Sequence, residues 1–102
     1  MSERPSFLIV GASSHAVDID VRALGWQRAE TAARWINPVT RETAKYAFGA
    51  GSLHGRARGT VLVKMPGWAG NPDALTVVSE AERRGLWFHI VGPEFLEQRR
   101  GR

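Results

Sequence analysis

The chain has 102 residues, 43% of them hydrophobic and 24% charged, which is the size and balance of one globular domain with a single core. Fourteen Lys and Arg against ten Asp and Glu give a net charge of +4, and twelve of those cations are arginine. The absence of cysteine excludes disulfides, thiolate metal sites and cysteine nucleophiles, and no apolar run approaches the roughly 20 residues that span a bilayer.

In chain order, residues 6–10 (SFLIV) are an apolar run that predicts a first strand, too brief behind its charged start for a signal peptide. Gly11-Ala12-Ser13-Ser14 turns out of it. Residues 14–24 carry two periodicities. Val17, Ile19, Val21 and Ala23 alternate with Asp18, Asp20 and Arg22 as in a strand, whereas Val17, Val21 and Leu24 share one helical face. The small-residue turn, a cap from Ser13 or Ser14 and a stop at Gly25 favour the helix. Residues 27–48 also admit two readings. One is an amphipathic helix over 27–36 with Ala29, Ala33 and Ile36 inward. The other is a hairpin with strands at 32–37 and 42–48 around Pro38-Val39-Thr40-Arg41. Asn-Pro initiates turns, and Trp35, Ile36, Tyr46 and Phe48 suit a ladder, so the hairpin is preferred. Gly49-Ala50-Gly51-Ser52 opens a loop with room for one helical turn at 52–54, and the basic run Gly55-Arg56-Ala57-Arg58-Gly59 follows.

The stretch from Thr60 to Pro93 organises the rest. Residues 60–65 are rich in β-branched side chains and end at Pro66-Gly67, the pattern of a strand buried on both faces. Asn71 suits a helix cap, Pro72 the first helical position, and Asp73 places negative charge where the helix dipole favours it. Ala74, Val77, Val78 and Ala81 fall on one face, and Gly85 supplies a stop. Residues 86–91 predict a further strand, and 94–99 a short terminal helix. Strand, helix and strand in this order make a βαβ unit with parallel strands. The chain as a whole, 1–102, predicts a small three-layer Rossmann-like α/β domain. Its central sheet has about five strands, a largely parallel middle and an antiparallel edge hairpin. Ligands of such sheets bind beyond the carboxyl ends of the parallel strands, here residues 11–15 and 65–70.

Two segments are therefore candidates for binding. At Gly11, Ala12, Ser13, Ser14 and His15, small residues let a ligand approach the backbone, and amides at a helix start attract phosphate or carboxylate. The competing explanation is a tight turn with a serine cap. Neither GxGxxG nor GxxxxGK[ST] is present, and no cofactor is expected. At Pro66, Gly67 and Trp68 an aromatic just past a strand end can stack on a base or sugar, or equally cover the rim of the core. Asp18 and Asp20, two apart on a helix, read as solvated charges rather than a carboxylate pair. His15, His54 and His89 share no metal-ligand spacing, and Ser79 has no nucleophile-elbow context.

The order of apolar strand, Pro-Gly-Trp, short polar loop and helix ending in glycine, over residues 61–85, resembles the small nucleoside 2-deoxyribosyltransferase-like domains, many of them phage-encoded. The resemblance covers about a quarter of the chain, with a looser extension to residues 7–13. It implies a compact Rossmann-like sheet with a nucleoside or nucleotide pocket between the first-strand turn and the Pro-Gly-Trp loop. In that family the helix presents a glutamate. With Pro66-Gly67-Trp68 and Gly85 held in register, Val77 stands at its place, and Glu80 reaches it only with a longer loop and a shorter helix. A transferase of this type needs a carboxylate nucleophile.

Three functions follow as expectations: a nucleoside- or nucleotide-binding protein without intact transferase chemistry, a deoxyribosyltransferase or N-glycosidase-like enzyme, and a phage-type interaction protein acting on a host protein. Four tryptophans favour some exposed aromatic surface and leave room for a homo-oligomer. The arginine bias has an ordinary source in GC-rich coding, although the guanidinium fork also matches phosphate. The cations are spread along the chain except for Arg99, Arg100 and Arg102, which read as a solvated end rather than a nucleic-acid contact. No membrane contact is expected, and the cytoplasm is the default compartment.

Overall fold

The computed structural model describes residues 6–30 and 33–101. Residues 1–5, Ala32 at the predicted start of the hairpin and Arg102 of the terminal basic cluster lie outside them. The elements run β1 (Ser6–Val10), α1 (Ser14–Ala23), β2 (Gln27–Arg28), β3 (Arg34–Ile36), β4 (Thr43–Tyr46), β5 (Thr60–Lys64), α2 (Pro72–Arg83), β6 (Phe88–Val91) and α3 (Glu94–Glu97). Single 3-10 turns occupy Ala50–Leu53, Trp68–Gly70 and Gly85–Trp87.

One six-stranded mixed sheet has the order β2-β3-β4-β1-β5-β6. β1 pairs in parallel with β4 and β5, and β5 in parallel with β6. β3 runs antiparallel to both β4 and β2, placing Trp35 opposite Ala44 and Arg28. The hairpin is thus present in residues 33–46, and the two-residue β2 extends it, making six strands rather than about five. A helix over 27–36 loses to this arrangement because Trp35 finds a buried seat on the ladder, at 1% exposure, which a surface helix would not offer.

β1 is buried on both faces, and its side chains alternate between two cores. Phe7 and Ile9 join Val17 and Val21 of α1, Trp35, Val63 and Leu96 of α3. Leu8 and Val10 join Leu62 and the α2 stripe of Ala74, Val77, Val78 and Ala81. Helices therefore cover both faces. Each of the larger side chains contributes about 1.5–3 kcal/mol by leaving water. The α2 cap is as its sequence requires: the Asn71 carboxamide oxygen accepts from the Asp73 amide at 3.1 Å, and Pro72 opens the helix.

Three sequence expectations need correction. The last strand begins at Phe88, not at 86, because its partner β5 starts at Thr60, opposite Phe88. Leu86 and Trp87 lie in the 3-10 turn and are 77% and 50% exposed; the Trp87 amide is turned back to the Arg84 carbonyl, and only its own carbonyl reaches across, accepting from the Gly59 amide at 2.9 Å. The helical turn after β4 falls at Ala50–Leu53, where Leu53 enters the α2-side core. The third concerns Arg99, which is docked rather than solvated. Its carbonyl accepts from Trp26 Nε1 and Asn37 Nδ2, both at 2.8 Å, and its guanidinium lies 3.8 Å from the Phe95 ring centroid.

Candidate functional site

Counted among the parallel strands alone, the order is second, first, third, fourth. The chain leaves β1 toward β4, then crosses back past β1 to form β5. The carboxyl ends of β1 and β5 therefore carry connections that diverge, and open sheets bind ligands in such crevices. The two candidate turns meet here. The Met65 amide continues the ladder to the Val10 carbonyl at 2.8 Å. Gly67 has φ 86°, and a Cβ on it would stand 2.9 Å from the Ala12 methyl. Gly11 is equally constrained, since a Cβ there would overlap Val17 Cγ2. Gly67 thus serves the approach of one turn to the other, and Gly11 the packing of the first turn on α1.

The crevice between the turns is closed by side chains from two other elements. Asn71 Nδ2 donates to the Gly11 carbonyl at 3.0 Å and to the Tyr46 hydroxyl at 3.2 Å. Tyr46, at the end of β4, is 4% exposed. Burial raises its phenol above the ordinary range; the Asn71 hydrogen bond and the Gly11 backbone oppose the rise, and the Asp73 charge adds to it. Trp68 packs on the α2-side core, with Lys64 Nζ 4.8 Å from its ring centroid. Neither Pro66 nor Trp68 lines the cavity that Ser14 and His15 border.

The open space lies instead on the α1 side of the first turn. A cavity of about 170 Å³ is lined by Ser14, His15, Asp18, Arg28, Ala33, Trp35 and Phe48. The Ser13 hydroxyl accepts from the Ala16 amide at 3.0 Å and caps α1. The Ser14 and His15 amides, ahead of it, have no intrahelical acceptor by helix geometry. Phe48, 57% exposed, meets Tyr46 edge-on at 4.8 Å and forms an aromatic wall. Ala33 holds φ 59° in the wall, an unfavourable conformation for a residue with a Cβ. Its carbonyl accepts from the Tyr46 amide at 2.9 Å, which ties it in place.

Asp18 is the residue that the sequence reading misplaced. It is 8% exposed and accepts from Trp35 Nε1 at 2.9 Å. Its other oxygen lies 3.6 Å from Arg22 and 3.8 Å from Arg28. The carboxylate joins α1 to β3 and β2 and holds Arg28 beside the cavity. One negative and two positive charges leave this corner net positive. The Asp18–Arg22 spacing was visible in the sequence; the Trp35 partner, 17 residues away, was not.

Val77 is fully buried in the α2-side core. Glu80 pairs with Arg83 at 3.0 Å. It stands nine residues beyond the Asn71 cap, about 13 Å along the helix at 1.5 Å per residue. Among the described residues, no three His, Asp or Glu side chains converge as metal ligands. No described helix is long and apolar enough to cross a membrane. No family model, curated protein or solved structure matches this chain.

Proposed function

We propose that this protein is a minimal Rossmann-like module that binds a nucleoside or nucleotide without turning it over. One observation carries the reading: the topological switch point coincides with the start of α1, and an aromatic-walled cavity opens directly beside that helix start. The chemistry is complementary. Phe48 offers a face to a base, the first α1 amides and the Ser14 hydroxyl offer donors to an anionic group, and Arg28 adds positive charge. At about 170 Å³ the cavity is smaller than a typical complete ligand pocket, so it accommodates one ring with the remainder of the ligand in solvent. Binding without turnover is favoured because Val77 is buried and Glu80 sits far along α2.

Trp35 in the cavity wall provides a fluorescence signal for titration with a panel of nucleosides and nucleotides. Saturable quenching is expected. Ser14→Glu should abolish binding of nucleotides, and Phe48→Ala should weaken it by about 1–3 kcal/mol, the usual worth of a stacked aromatic. Glu80→Ala should leave it unchanged. No saturation at about 10 mM ligand, far weaker than any useful site, would remove the proposal.

A further inference from the structure

A second surface lies on the α2 face of the sheet, running from β3 and β4, level with the middle of β1, to the amino ends of β5 and β6. β3 and β4 alternate, so that Trp35 and Ala44 enter the α1-side core while Arg34 and Lys45, directly paired in register, share the other face. α2 packs over Leu8, Leu62 and Phe88, while Arg34 stays exposed and Lys45 partly exposed. Like charges directly opposite on a ladder destabilise it. Arg56 joins them around a small depression with Thr43 and Ala44. Arg56 also forms the rim of a second, larger pocket of about 320 Å³, floored by Leu53 and Phe88 and walled by Arg84 and Trp87. Arg58 stands 6.0 Å from the Trp87 ring centroid.

These cations are scattered in sequence from 34 to 84, and the fold collects them into one strip. Among the described residues, no carboxylate lies within ion-pair distance of Arg34, Lys45, Arg56, Arg58 or Arg84. The strip crosses from β3 to the start of β6, about 19 Å at the ordinary strand spacing. It ends at a half-exposed indole beside an apolar pocket. We propose that this strip binds single-stranded nucleic acid, with phosphates tracking the cations and a base held against Trp87. A row of cations with an aromatic platform at one end is the design that binds such strands without sequence preference. The strip lies outside the carboxyl-end crevice and does not depend on the nucleotide reading.

The test is fluorescence anisotropy of a fluorescein-labelled oligothymidylate of about twelve nucleotides, titrated with the intact protein over a series of salt concentrations. Four to five neutralised phosphates predict a slope of log affinity against log salt of about −3. Arg34→Glu with Lys45→Glu should weaken binding more than about tenfold at low salt and flatten the slope by about 1.4. Trp87→Ala should weaken binding about tenfold with the slope unchanged. Arg100→Glu, one charge reversal away from the strip, should alter affinity less than about twofold, whereas Arg34→Glu alone, the same charge change on the strip, should cost more. Circular dichroism confirms that each variant is folded. Three results would overturn the proposal: no binding at about 50 mM salt, where such contacts are strongest; Arg100→Glu as damaging as the strip variants; or a polyglutamate peptide that displaces the oligonucleotide at equal charge concentration. The last outcome would assign the strip to acidic polypeptides.

Discussion

Asn71 does three things with one side chain, and the substitutions that separate them test how the crevice is closed. Its oxygen caps α2, and its amide nitrogen serves Gly11 and Tyr46. Asn71→Ala removes all three. Loss of the cap costs about 1 kcal/mol. Two partly buried acceptors left without their donor cost about 1 kcal/mol each. The expected total is about 3 kcal/mol, against a stability of about 5–15 kcal/mol for a chain of this length. Asn71→Asp keeps the cap and adds charge that suits the helix start, and the Tyr46 hydroxyl can donate to the new carboxylate. The Gly11 carbonyl loses its donor and faces a carboxylate oxygen instead, while the charge gained at the helix start offsets part of this, so about 1–1.5 kcal/mol is expected. Urea unfolding followed by Trp fluorescence reads both. At an m-value of about 1–1.5 kcal/mol/M, the alanine variant should lose about 2–3 M in midpoint and the aspartate variant about 1 M, with m unchanged. An alanine variant within about 0.5 kcal/mol of the parent would refute the reasoning, as would two variants of equal cost.

The same junction makes stability depend on alkaline pH. The Tyr46 phenol is raised by burial in the folded state, so its contribution is fully present below the unfolded value near 10 and is lost as pH rises through the folded value. Stability should fall above about pH 10 more steeply in the parent than in Tyr46→Phe, as measured by midpoints in urea between pH 8 and 11. Asp18→Ala strands the buried Trp35 indole and should cost about 1–3 kcal/mol, while Asp18→Asn keeps an acceptor and should cost less than about 1 kcal/mol. Equal costs would show that the two long ion pairs, not the indole, matter. Val78→Asp places an unpaired charge in the α2-side core and should leave the protein unfolded at 25 °C by circular dichroism; an unchanged melting curve would remove the helix-on-sheet packing.

The α2 unit was legible because every local signal agreed: cap, first-turn proline, apolar stripe and stop all marked the same helix. The hairpin was legible only as one of two readings. Residues 27–36 have good helix propensity, and what decides against the helix is non-local: Trp35 needs Asp18 and the Ala44 strand. The start of β6 was misread for a similar reason. Leu86 and Trp87 are as apolar as the strand they precede, and only the length of β5 decides where pairing begins. At the candidate site, the two turns meet because β1 pairs with β5, which the βαβ pattern of residues 60–91 does not by itself specify. The Tyr46–Asn71 closure was not legible, since it joins residues 25 apart through a hydroxyl and an amide with no sequence signature. The basic strip was missed because no run of the sequence contains it. It exists only after β3, β4 and the end of α2 are brought to one face.

The Trp87 end of the basic strip and the α1-side cavity can be tested separately because the fold keeps them apart. The α1 start lies at the carboxyl end of β1, whereas Trp87 and Arg84 lie at the amino ends of β5 and β6. A five-residue strand separates the ends by about 15 Å. That exceeds the screening length of about 8 Å at physiological salt, so charge changes at one end reach the other weakly. The material between is β1 and β5 with core side chains at or near zero exposure, including Leu8, Ile9, Leu62 and Val63. Close-packed interiors transmit a change only by switching between discrete arrangements, and no described element here is left half-packed between two seats. Variants at the two ends should therefore be additive to within about 0.5 kcal/mol. A saturating nucleotide should change oligonucleotide affinity by less than about twofold. Anisotropy titrations with and without the nucleotide measure this directly. A tenfold change would mean that both ligands compete for one surface or that the sheet moves as a lever, and reciprocity distinguishes the two, because a lever preserves saturable nucleotide binding to the oligonucleotide complex whereas competition does not.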